Sequence, residues 1–122
     1  MTISLRGVAK SYGRIRAVRG IDLTIPSGTT VALLGPNWAG KSTTIGMLAG
    51  LIAPDDGAVT VCGLAPAAAV RAGCVAVMLQ DAGPMLGVTV AELVGLARRL
   101  YPHPIGVDEA LALAASSPRP VP

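Results

Sequence analysis

The chain has 122 residues, a formal net charge of +3 and a hydrophobic fraction of 52% rich in alanine, with one tryptophan and two tyrosines as its only aromatics. That length suits one small domain, and no apolar run reaches the roughly 18 to 20 residues that span a bilayer. Arg6, Lys10, Arg14, Arg16 and Arg19 interrupt the first twenty residues, so the layout of a secretory leader is excluded and a cytoplasmic location is expected.

In chain order, Ile3 to Ala9 alternates, with Ile3, Leu5 and Gly7 on one side and Ser4 and Arg6 on the other, which predicts an edge strand. Lys10 to Gly13 is a break. Ile15 to Ile25 reads as a second strand with an irregularity at Gly20. Pro26-Ser27-Gly28 is a turn, and Thr29 to Leu34 reads as a continuous apolar strand buried on both faces. A helix is predicted from about Lys41 to Leu51, with Ile45, Leu48, Ala49 and Leu51 inward. Ala53 to Gly57 is a turn, Ala58 to Cys62 a strand, Pro66 to Gly73 a short helix, and Cys74 to Leu79 a second continuous apolar strand. After a polar loop from Gln80 to Gly87, Val90 to Tyr101 is the clearest helix. Leu93, Val94, Leu96, Ala97 and Leu100 face inward, and Thr89 with Glu92 forms a capping box. Val107 to Ala115 is a weaker helix. Residues 116–122 hold three prolines in five residues and are expected to be a disordered tail behind a domain of residues 1–115.

Cys62 and Cys74 lack metal-ligand spacing and sit in apolar stretches, which predicts two reduced, buried thiols. The arginines at 6, 14, 16 and 19 have no interleaved aromatic platform beyond Tyr12, so a solvated sheet face, or electrostatic help for an anionic nucleotide, explains them better than nucleic acid, and no nucleic-acid partner is expected.

One stretch carries chemistry. Gly35-Pro36-Asn37-Trp38-Ala39-Gly40-Lys41-Ser42-Thr43 fits G-x-x-x-x-G-K-[ST], between a predicted strand and a predicted helix. Glycine keeps the backbone close to an anion, and successive N–H groups form a nest for it. The helix start adds its dipole and unpaired amides. Lys41 supplies a mobile positive charge for the outer phosphates, and the Ser42 hydroxyl suits Mg²⁺. The plain alternative is a glycine turn that happens to precede Lys-Ser.

The match extends further. Val8 to Gly13, Ile21 to Gly28, Leu33 to Asn37 with Ala39 to Thr44, Gly50-Leu51, Pro54 to Gly57 and Val77 to Gln80, in that order and spacing, resemble the ATP-binding subunit of an ABC transporter. The segment from Gln80 to Pro102 is similar to the branch that serves drug and antibiotic export. The resemblance covers roughly residues 3–115. It implies an α/β fold, a phosphate-loop NTPase core with an N-terminal antiparallel β patch, truncated before the signature and Walker B segments. It implies ATP and Mg²⁺ as ligands, a membrane-embedded permease and a second ATP-binding subunit as partners, and a position on the inner face of the cell membrane. Tyr12 matches the aromatic that stacks on adenine; the alternative is a half-buried tyrosine at a strand end. Residues 35–43 match the Walker A loop, with Ser42 toward the metal. Gln80 matches the glutamine that reaches Mg²⁺ and the attacking water; the alternative is an ordinary loop residue.

The sequence departs from the family in two ways. It contains no Leu-Ser-Gly-Gly-Gln run, no apolar strand ending in Asp-Glu and no histidine other than His103, which lies between two prolines. No catalytic residue is therefore assigned, and no ATP turnover is expected from these 122 residues, which leaves a truncated, inactive nucleotide-binding fragment as the alternative function. A different phosphate-loop enzyme, such as a small kinase, fits the Tyr12 and Gln80 spacing less well. Trp38 stands where the family almost always has glycine. A side chain there costs about 1 to 2 kcal/mol if φ is positive, so Trp38→Gly is expected to strengthen nucleotide binding.

Overall fold

The computed structural model describes residues 2–36, 40–78 and 87–115, and the chain divides into two compact units, Met1–Val77 and Met78–Pro122. The first unit is built on a three-stranded antiparallel sheet of β1 (Ile3–Tyr12), β2 (Ile15–Ile25) and β3 (Asp56–Val61), ordered β2-β1-β3. The first strand is thus the centre of the sheet and not its edge, and it runs three residues beyond Ala9 to Tyr12. Its alternation pattern fits either position. What decides is β3, which pairs Ile3 with Val61 and Arg6 with Ala58 after a long excursion of the chain.

Leu5 and Val8 are both buried, at 1% and 0% exposure, although simple alternation would send them to opposite faces. The β1–β2 register shifts between them, and the Gly7 amide donates to the Asp22 carboxylate at 2.7 Å, which fixes that irregularity. The extra residue turns Val8 back toward the core and takes Gly7 out of the inward set. The irregularity expected at Gly20 is present, since Val8 pairs with Ile21 and Ala9 with Arg19. At Gly57, φ is +84° and an added Cβ would lie 2.4 Å from the Gly7 carbonyl oxygen, so β3 enters the sheet through a gap that only glycine fits.

Against the sheet lies α1 (Lys41–Leu48), and Met47 joins Leu5, Val8, Val18 and Val59 in the core. This helix is shorter than expected. The amides of Leu51 and Ile52 turn back to the Gly46 carbonyl at 2.9 and 3.2 Å and close it. Of its expected inner face, Ala49 is buried and Leu48 packs against the core, while the other two positions are not inward. Thr44, Gly46 and Met47 are buried, whereas Ile45 and Leu51 are exposed. Thr44 tolerates burial because its hydroxyl donates to the Gly40 carbonyl at 2.8 Å. A further helix, α2 (Pro66–Arg71), also packs near β3, with Ala69 buried.

Two expected strands are absent. Residues 29–36 and 74–78 carry no regular structure, and Val31, Leu33, Leu34, Val77 and Met78 are exposed. Neither stretch has a ladder partner among the described residues, so the apolar pattern alone does not form a strand. Leu79 lies outside the described residues. Cys62 and Cys74 are free and half-buried, less enclosed than expected. A hydrogen bond to the Cys74 side chain, with desolvation, pushes the Cys62 thiol pKa up.

The second unit holds α3 (Val90–Arg98) and α4 (Val107–Ala115), which contact one another. The capping box forms as expected. Glu92 N–H donates to Thr89 Oγ1 at 3.1 Å and Thr89 N–H donates to Glu92 Oε2 at 3.0 Å. The expected inner face does not. No residue of either helix is buried, and Leu93, Leu96 and Leu100 are exposed. The helix stops at Arg98 instead of Tyr101. Among the described residues no helix is long and apolar enough to cross a membrane.

Candidate phosphate-binding site

The last glycine of the predicted loop is the N-cap of α1, with φ +85°. A Cβ at Gly40 would lie 2.2 Å from the Ala17 carbonyl oxygen and 3.3 Å from Val18 Cγ2. The glycine is therefore required by the close approach of the loop to β2, which seats the helix start against the sheet. The Thr44 amide donates to the Gly40 carbonyl at 2.9 Å and begins the helical ladder. Helix geometry leaves the amides at Gly40, Lys41, Ser42 and Thr43 without intrahelical acceptors. They form the positive end of the helix, where an anion is stabilised.

The Lys41 ammonium donates to the carbonyl oxygen of Gly35. The side chain thus folds back over its own loop and joins the two ends of the motif. Ser42 is exposed, Thr43 and Lys41 are half-buried, and Gly35 and Pro36 are exposed. Of the predicted loop residues, Lys41 and Gly35 are in direct contact. Asn37, Trp38, Ala39 and Gln80 lie outside the described residues, as does the tail at 116–122. His103 is exposed in its proline-flanked loop, and Arg6, Arg14, Arg16 and Arg19 are all exposed.

The β1–β2 register links Tyr12 to the strand on which Gly40 is lodged. Val18, which touches the Gly40 position, pairs with Lys10, and Tyr12 lies two residues further along the same strand, roughly 7 Å away. The Tyr12 ring is 49% exposed, and the Lys10 ammonium sits 5.5 Å from its centroid. Lys10 also pairs with Asp55 at 3.2 Å, and Asp55 accepts the Ser11 amide at 2.8 Å. The Ser11 amide and then the Lys10 ammonium hold the Asp55 carboxyl below its ordinary range. From the sequence, Asp55 belongs to a turn and to the stretch Pro54 to Gly57 that carries the family resemblance, with no role of its own. Its signal, an acidic residue after a proline in a loop, is too common to single it out. Thr44 was likewise missed as the buried anchor of the helix start.

The donor set fits a polyphosphate: amides at a helix N-terminus, a lysine ammonium and a hydroxyl. For a divalent cation, the described residues offer the Ser42 hydroxyl, and among them no cluster of three His, Cys, Asp or Glu is placed to hold a metal. A hollow in the second unit, lined by Glu92, Leu96, Arg98, Arg99 and Tyr101 among others, contains none of the sequence-predicted site residues.

Comparisons with known proteins bear on the family and the fold. A family profile described as ABC transporter matches residues 18–116. The ribose import ATP-binding protein RbsA 1 of Mesorhizobium japonicum is 45% identical over 81 residues, 62% of this chain and 16% of the relative. The daunorubicin/doxorubicin resistance ATP-binding protein DrrA of Streptomyces peucetius is 52% identical over 61 residues, 50% of this chain and 18% of the relative. The sulfate/thiosulfate import ATP-binding protein CysA of Rhodopseudomonas palustris is 38% identical over 113 residues, 90% of this chain and 32% of the relative. A solved structure, an ATP binding subunit of an ABC transporter, superposes with a TM-score of 0.72 at 25% identity, covering 84% of this chain and 43% of that one. The chain therefore spans about a third or less of the curated relatives and less than half of the solved structure.

Proposed function

This chain belongs to the ABC transporter family, and we propose that it is the nucleotide-binding N-terminal portion of an ATP-binding subunit, with residues 1–115 as its domain. The observation that carries the proposal is the helix start itself. Gly40 is lodged against β2, the amides at 40–43 are free of intrahelical partners, and Lys41 reaches back to Gly35. In this reading the phosphates of ATP take the helix N-terminus, and Lys41 exchanges the Gly35 carbonyl for phosphate oxygens. Residues 35–43 would hold the phosphates, Tyr12 would stack on the adenine, and Ser42 and Gln80 would serve the metal. Bound Mg²⁺ would supply charge neutralisation between the outer phosphates. The sequence holds no Walker B or signature stretch, so the 122-residue chain binds ATP without turnover.

In the assembled transporter this portion would sit beneath a membrane-embedded permease, on the inner face of the membrane, opposite a second ATP-binding subunit. Export is the finer proposal. It is supported by the similarity to proteins named for daunorubicin/doxorubicin resistance and Nod factor export, while proteins named for import match at comparable identity. Reconstitution of a full-length ATP-binding subunit that carries this portion with a membrane-embedded permease, followed by the direction of ATP-dependent substrate movement, tests that point.

Binding is tested by calorimetric titration of the chain with Mg²⁺ and ATP. Lys41→Ala is expected to weaken binding at least tenfold, the loss of one charge-assisted contact to phosphate. Trp38→Gly is expected to strengthen it. Indistinguishable titrations for the parent chain and Lys41→Ala overturn the site.

A further inference from the structure

Asp55 lies 44 residues after Ser11 in the chain, yet it holds the last turn of β1 at three successive residues. Its amide donates to the Ala9 carbonyl at 2.8 Å, and its carboxylate accepts from the Ser11 amide at 2.8 Å and from the Lys10 ammonium at 3.2 Å. The next residue is Tyr12, the end of the strand. Its strand partner Ile15 is 70% exposed and offers the ring little packing. What sits on the ring is the Lys10 ammonium, 5.5 Å from the centroid and within cation–π range. The Lys10 side chain is only 18% exposed and is held from its other side by Asp55.

We propose that Asp55 is a positioning residue for nucleotide recognition: through Lys10 and the Ser11 amide it sets the Tyr12 ring for stacking on a purine base. This rests on the reading of Tyr12 as the adenine platform. The physical gain is preorganisation. A ring already held on one face by an ordered cation loses less freedom when a flat base meets the other. Pairing Lys10 with Asp55 also keeps that ammonium at the ring and away from the phosphates.

This arrangement has a signature that neither a purely structural clamp nor a simple charge effect shares. Binding is measured on the full chain for ATP and for inorganic tripolyphosphate, which lacks the base, and the Tyr12 ring protons are followed by NMR. With Asp55→Ala, ATP binding is expected to weaken about fivefold, part of one base–aromatic stack. Tripolyphosphate binding is expected to hold or tighten, because the Lys10 charge is released. Lys10→Met should repeat the ATP loss, and in both variants the Tyr12 ring resonances should move. Asp55→Asn keeps an acceptor for the Ser11 amide without the ion pair, and should fall between; it serves also if Asp55→Ala fails to fold. Parallel weakening of ATP and tripolyphosphate would show a strand clamp only and overturn the proposal, as would unmoved Tyr12 resonances. A parent chain that binds ATP no better than tripolyphosphate instead overturns the adenine role of Tyr12, and the ring resonances alone then decide whether Asp55 positions it.

Discussion

Two stretches of this chain have the composition of strands, and only one becomes a strand. Residues 15–25 pair along their length with β1 and bury Val18 at 2% exposure. Residues 29–34 are at least as apolar, yet they have no regular structure, and Leu34 is 88% exposed. The difference lies in the availability of a partner. A strand satisfies its backbone groups only by pairing, so β propensity expresses itself where a ladder exists and is silent where none does. The second unit teaches the same lesson for helices. The capping box builds α3 locally, but Leu93 and Leu96 of that helix stay exposed even though it contacts α4.

The comparison can be broken most sharply by truncating one leucine on each side of it. Leu5→Ala, in the paired and buried region, is expected to cost about 3 kcal/mol, whereas Leu34→Ala should stay within about 0.5 kcal/mol. Urea denaturation followed by circular dichroism measures both. Equal effects would mean that residues 29–34 are packed in solution. Gly57→Ala tests the entry of β3 into the sheet. Positive φ and the collision with the Gly7 carbonyl together should cost about 2 to 3 kcal/mol, a fall in Tm of about 10 °C or more. A Tm within a degree or two of the parent would show that β3 is not held as described.

The smallest effect concerns the Asp55 contacts that tie β1 to the start of β3. The carboxyl pKa is lowered on folding, so its contribution to stability is complete above the ordinary carboxyl pKa and is lost as pH falls through the lower folded value. The difference in Tm between the parent and Asp55→Asn should therefore be constant above about pH 5 and shrink below about pH 4. It should also shrink in high salt, since the pair with Lys10 is partly exposed. A difference that persists unchanged to acid pH would remove the charge from the explanation.

Much of this was readable without coordinates. The irregularity at Gly20 followed from a glycine inside a strand pattern, and the capping box from Thr89 and Glu92 at the right spacing. The loop at residues 35–43 was recognisable because phosphate binding demands glycine, lysine and serine at fixed separations. The inner face of α1 was only half readable, through Leu48 and Ala49. Ile45 looks like an inner residue by type, and Thr44 does not, until the Gly40 carbonyl supplies its hydroxyl with a partner. The bulge that puts Leu5 and Val8 on one face depends on Asp22, far along the next strand.

The sequence by itself determined what is local: turns, caps, the spacing of the phosphate loop, and with them the family. These depend on residues a few positions apart, whose chemistry is fixed before the chain folds. The tertiary structure alone decided which strand is central, which apolar runs pair, that α1 buries Thr44 and not Ile45, and that Asp55 reaches Lys10 and Ser11 beside Tyr12. Each of these depends on a partner distant in the chain, and periodicity carries no information about which distant segment will arrive.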